Sequence, residues 1–211
     1  MGTIKQGILG GFSGKVAGVV GSSWKGIAVM KALPLSVANP KTAGQVAQRT
    51  KFAAAVALGS SWLAANVKPL WDRFAQQASG YNDFVSANIQ AFNNSGNVNL
   101  SNIIASRGSL VSAVISQAEG SDGTTALEVA WTDLSGQGNA LATDEVFFSV
   151  FNDTNDETKA FNTGFIRSDL TGTVQMDLNF TAGDDFGFYL SFRRPDGTIV
   201  SDSVFAQGTV A

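Results

Sequence analysis

Residues Leu33 to Phe52, LPLSVANPKTAGQVAQRTKF, constrain this chain more than any other stretch. Pro34 and Pro40 each push the residue before them toward extended backbone, so Leu33 to Asn39 is expected to cross as an irregular linker. Thr42-Ala43-Gly44-Gln45 then fits a capping box: the Thr42 hydroxyl accepts from the Gln45 amide, and the Gln45 side chain reaches back to the cap's own amide. Asn39, with Pro40 at the first helical position, is a competing start. Either way a helix begins here, with Gly59 as its expected stop.

Upstream, Gly7, Gly10, Gly11, Gly14, Gly18, Gly21 and Gly26 crowd one short segment. Their spacing resembles the small-residue pattern of close-packed helices. Each glycine costs a water-exposed helix about 1 kcal/mol, however, and extended structure is the better reading. A hairpin of Lys15 to Val20 with Gly26 to Lys31, turning at Gly21-Ser22-Ser23, is expected. Such a hairpin needs a partner sheet.

Downstream, Trp62, Leu63, Leu70, Trp71 and Phe74 are spaced for one helical face, with Pro69 kinking or restarting the helix. Phe84, Val85, Ile89 and Phe92 mark a third helical stripe. A small helical core explains both better than a base-stacking platform does. Asn93-Asn94-Ser95-Gly96-Asn97 reads as a linker. Beyond it Leu127, Val129 and Trp131 alternate with polar residues, as do Val174, Met176, Leu178 and Phe180, and Phe186, Phe188, Leu190 and Phe192. Arg194-Pro195-Asp196-Gly197 is a hairpin turn. Val146 to Phe151 is apolar on both faces, which suits a central strand or one whose outer face meets another subunit.

Composition narrows the chemistry. The chain has no Cys and no His, which removes disulfides, the usual zinc ligand sets, thiol nucleophiles and Ser-His-Asp arrangements. No apolar run approaches the ~20 residues of a membrane helix, and Lys15 with the glycines interrupts what would be a signal-peptide core. Synthesis in a bacterial cytoplasm without Sec export is expected. Charge is split: residues 1–95 hold nine basic and two acidic side chains, and residues 96–211 hold five and fifteen. Opposed halves suggest two surfaces facing different neighbours, or two separately solvated domains.

Candidate motifs fail on inspection. Ser13-Gly14-Lys15 lacks the phosphate loop's earlier glycine (Leu9 stands there), and Val16 replaces its metal-binding hydroxyl. Ser22-Ser23-Trp24-Lys25 matches the SxxK of penicillin-recognising enzymes without companion motifs. Asp153-Thr154-Asn155-Asp156-Glu157 opens like a calcium loop, but Thr158 replaces its glycine and Gly164 its closing Glu. The pairs Asp144-Glu145 and Asp184-Asp185 suit acid/base work only across a cleft, and solvated charge beside turns is the ordinary explanation. No cofactor is implied.

The segment GILGGFSGKVAGVVGSSWKGIAVMKALP, followed by NPKT and QVAQRTKF, resembles an uncharacterised bacterial and phage-associated group with a GxxGKVGxVVGxxWKG-like block and an NP-Lys/Arg-T helix start. TDLSGQGNALATDEVFFSVFN is similar as well. The resemblance implies a phage-type setting and no specific activity.

The expected fold is α+β: an N-terminal glycine-rich β-hairpin, a short helical middle, and a C-terminal antiparallel immunoglobulin-like β-sandwich. Residues 1–95 form the expected anchoring region and residues 96–211 the sandwich. The expected function is that of a non-enzymatic structural virion protein (capsid, spike or tail-associated) working as a homo-oligomer with other structural proteins. Lys15, Val20, Trp24, Lys25, Asn39, Pro40, Thr42 and Arg49 are the candidate assembly residues. The alternative is a surface adhesion or filament module binding a glycan or receptor through sandwich loops. A nucleic-acid contact by the basic half is a weaker third reading, because its charges are too sparse for a dedicated module.

Overall fold

The computed structural model describes residues 3–4, 12–24, 27–36, 38–75, 78–120, 123, 126–175 and 180–210. The chain is mixed α and β, mostly antiparallel sheet with few helices. It divides into two compact units, Met1–Lys41 and Thr42–Ala211, whereas the sequence reading placed its boundary after residue 95.

The smaller unit is a four-stranded antiparallel meander of β1 (Thr3–Ile4), β2 (Phe12–Val16), β3 (Val19–Trp24) and β4 (Ile27–Ala32). It is a hairpin-like sheet with a turn in a different place from the expected one. Ala17-Gly18 joins β2 to β3, while Gly21, Ser22 and Ser23 lie inside β3 and pair with Met30, Val29 and Ala28. Lys25 and Gly26, between β3 and β4, are outside the described residues.

The larger unit opens with α1 (Ala43–Ser61), capped by the Thr42 hydroxyl, which accepts from the Gln45 amide at 3.4 Å. Gly59 does not stop this helix. It is buried within it, and a Cβ there would lie 3.1 Å from the Tyr81 ring and 3.2 Å from Phe84. The glycine therefore marks close helix–helix packing. After Ser61 the trace widens into a π-helical turn, Leu63–Val67, and continues as α2 (Lys68–Trp71). Pro69, lacking an amide hydrogen, sits just past this widened turn, where the ordinary ladder is already broken.

Helix α3 (Gly80–Asn88) and the turns after it bring the chain to the sheets. Asn93–Asn97 is a closed turn rather than a linker. The Asn93 side chain accepts from the amides of Ser95 (2.8 Å) and Asn97 (3.0 Å), and Phe92 bridges Val98. With no slack there, the helices remain part of the β unit.

One sheet has the order β11-β10-β7-β8 (Val204–Thr209, Asp185–Arg193, Glu145–Asn152, Glu157–Ile166). The other is β5-β6-β9 (Ile115–Gly120, Ala126–Trp131, Thr171–Gln175). The expected alternating run from Val174 enters β9, but residues 176–179 lie outside the described residues. Inward-facing Leu127, Val129 and Trp131 share a core with Val146, Phe148, Val150, Phe186, Phe188 and Leu190. On the opposite face of the four-stranded sheet, Phe147, Phe151 and Tyr189 pack with Trp62, Leu70, Trp71 and Phe84 from the helices. That resolves the doubly apolar Val146–Phe151: its outer face meets the chain's own helices. Polar links cross the same layer, from Trp62 Nε1 to Thr158 Oγ1 (2.5 Å), Asn66 Nδ2 to Ser149 Oγ (2.8 Å) and Tyr189 Oη to the Leu100 carbonyl (2.6 Å).

Candidate assembly surface

Among the described residues of the smaller unit Gly21 alone is buried. A Cβ at Gly21 would come within 2.6 Å of the Phe12 ring and 2.3 Å of its carbonyl oxygen, so only glycine lets β2 cross here. Every residue of β4 is exposed, Ile27 at 61% and Met30 at 68%. The strand is also an edge of the sheet, with one row of backbone groups unpaired within it.

Sheet register sorts the side chains by face. Lys15 pairs with Val20, and Val20 pairs with Lys31, so these three stand in a row across β2, β3 and β4 on one face. Ser22 and Val29 continue that face, while Gly21 and Met30 belong to the other. Both lysines are exposed, and neither has an ion-pair partner among the described residues.

Of the expected assembly residues, the sheet brings Lys15 and Val20 together and ends β3 at Trp24, opposite Ile27. Lys25 lies outside the described residues. Asn39 and Pro40 are exposed on the extended approach to α1, Thr42 is its cap, and Arg49 lies exposed on that helix. The sequence reading missed Ile27, Val29, Met30 and Lys31. Their signal was the run IAVMK, apolar at successive positions and so apolar on both faces of a strand.

A family model matches residues 11–207. The chain belongs to DUF6266, a family of unknown function. No curated protein and no solved structure matches it.

One member of each carboxylate pair of this DUF6266 chain is not the solvated charge expected from the sequence. Glu145 and Asp185 open β7 and β10, but Asp144 and Asp184 are buried. Asp144 lies 3.2 Å from the buried Arg167 guanidinium, which donates to the Val111 carbonyl at 2.6 Å and stacks on Phe192. Burial lowers the Arg167 pKa, and Asp144 opposes that shift. Asp184 accepts from the side-chain amides of Asn152 (3.0 Å) and Asn155 (3.2 Å). Each carboxylate also accepts from an amide three residues earlier, Asp144 from Leu141 and Asp184 from Thr181. Because β7 and β10 are antiparallel, with Glu145 opposite Arg193 and Asn152 opposite Phe186, the two stand at opposite ends of the sheet. The length of β7, about 25 Å, separates them, too far to act on one substrate bond. They fasten turns.

The calcium-like run forms the β7–β8 turn, where Asn152 Oδ1 accepts from the amides of Thr154 (3.0 Å) and Asn155 (3.3 Å). Asp156 adopts φ 56° there. Asp153 has its pKa raised by partial burial, then by Asp156 and Asp185. Among the described residues no group of three or more acidic side chains is placed to hold a metal ion.

Proposed function

We propose that this protein is a structural component that works by self-association and not by turnover. Its N-terminal sheet is the assembly surface and its larger unit the projecting body. The observation that carries this reading is the four-stranded sheet in which no apolar side chain among the described residues is buried. Sheets of this size gain stability from a covered face, and contiguous exposed apolar surface marks a contact site. The two sheets of the larger unit are read as an immunoglobulin-like sandwich, supported by the core they share. A virion or comparable assembly is the proposed setting; the resemblance of the glycine-rich block to phage-associated sequences supports it.

The test is sedimentation velocity of the full chain at low and high salt, followed by negative-stain microscopy. Rings, shells or filaments are expected, weakened by salt because the two units carry opposite charge. A monomer under all conditions overturns the proposal.

A further inference from the structure

We infer that the assembly contact is heterologous: the lysine-bearing face of one copy's N-terminal sheet seats on the acidic larger unit of a second copy. This rests on the self-association reading above. Residues 1–41 hold five lysines and no acidic side chain, whereas residues 42–211 hold nine basic and seventeen acidic ones, a net of −8. Two N-terminal sheets placed lysine face to lysine face would therefore oppose charges of one sign only, and like-charge juxtaposition rejects that pairing. The larger unit offers the complementary sign.

The face is named by its register. Lys15 and Lys31 flank Val20 across three strands, about 10 Å apart at ordinary strand spacing, with Val29 beside them. Exposed cations around an apolar centre match the polar rim and apolar core of a protein interface. The opposite face, with Phe12, Gly21 and Met30, carries no charge among the described residues. A heterologous contact leaves each bound pair with one free sheet and one free larger unit, so assembly continues into rings or filaments instead of stopping at a dimer.

The test uses full-length chains. Lys15→Glu/Lys31→Glu alone is expected to lose assembly, with circular dichroism and urea unfolding unchanged. Lys15→Arg/Lys31→Arg is expected to keep it. The decisive step mixes one Glu variant with ten wild-type chains. Its intact larger unit still accepts a wild-type sheet, so it caps growing chains and limits them to roughly ten copies. Wild-type assemblies of unchanged size would show a sheet-to-sheet contact and overturn the inference. Normal assembly by the Glu variant, or loss by the Arg variant, also overturns it. A wild type that never assembles instead removes the self-association reading itself.

Discussion

Two four-stranded antiparallel sheets occur in this chain, and they have opposite fates. The sheet of β11-β10-β7-β8 is covered on both faces, by a second sheet and by helices. The sheet of β1-β2-β3-β4 buries no apolar side chain among its described residues. Strand pairing is shared by both, so hydrogen bonding does not explain the difference. What differs is side-chain supply: β7 and β10 carry large apolar groups at more than half of their positions, while β2 and β3 carry Gly14, Gly21, Ser22 and Ser23. One sheet is held by its own core, and the described residues of the other supply none.

The largest effects should come from the covered sheet. Phe148 is fully buried, with ring centroids 5.1 Å from Phe188 and 5.7 Å from Trp131. Phe148→Ala should cost about 3–5 kcal/mol in urea unfolding. Met30→Ala should stay within about 0.5 kcal/mol in the same measurement, because its side chain is exposed. Equal costs would erase the contrast between the two sheets.

Arg167→Met probes the same unit through charge. It leaves the buried Asp144 carboxylate without its 3.2 Å partner, with Arg194 Nε 3.8 Å away. Removing one member of such a pair costs about 3–5 kcal/mol, and the effect here should fall at the lower end because Arg194 remains. A loss below about 1 kcal/mol would mean that water or Arg194 takes over, and that this end of the sheet is less enclosed than its burial indicates.

Much of this architecture was legible where one principle acted alone. Alternation in Leu127–Trp131 and Phe186–Phe192 placed two inner strands, and the Thr42 cap placed a helix start. Arg194–Gly197 turns as read, with the Gly197 amide donating to the Arg194 carbonyl at 2.8 Å. Errors arose where a residue type serves two purposes. Gly59 reads as a helix stop, yet its missing side chain makes room for Tyr81 and Phe84. Asn93–Asn97 has the composition of a linker, yet Asn side chains close turns by accepting backbone amides. Asp144 and Asp184 beside turns read as solvated, because their partners Arg167 and Asn152 are distant or unremarkable in sequence. Of the sheet face proposed for assembly, Lys15 and Val20 were named from the sequence, whereas Lys31 entered only through the register of β4.

Gly59→Val tests the first of those errors at intermediate size. The added atoms meet two rings already at the limit of contact, so a loss of about 1–3 kcal/mol in urea unfolding is expected. Gly44→Ala is its control in the same helix, with open space around the position, and should stabilise by up to about 1 kcal/mol. If Gly59→Val also stabilised, Gly59 would be a propensity defect and not a packing site.

The smallest effect concerns the acidic turn at one end of the covered sheet. Asp153 has its carboxyl pushed up, first by burial and then by Asp156 and Asp185, so folding favours its neutral form. Its contribution to stability is therefore present below the unfolded carboxyl pKa and is lost as pH rises through the folded value. Near neutral pH the ionised group works against the fold. Asp153→Asn keeps the shape and removes the charge, so the variant should be more stable than wild type near pH 7, by at most a few tenths of a kcal/mol at this exposed position. Near pH 3 the wild-type carboxyl is itself largely protonated, and the two proteins should unfold at the same urea concentration. Added salt at neutral pH should shrink the difference, because Asp156 and Asp185 act through screened space. A variant less stable than wild type near pH 7 would show that the Asp153 carboxylate makes a favourable contact that outweighs its acidic neighbours, and the turn would then resemble the opposite end of the sheet, where Asp144 is held by arginines.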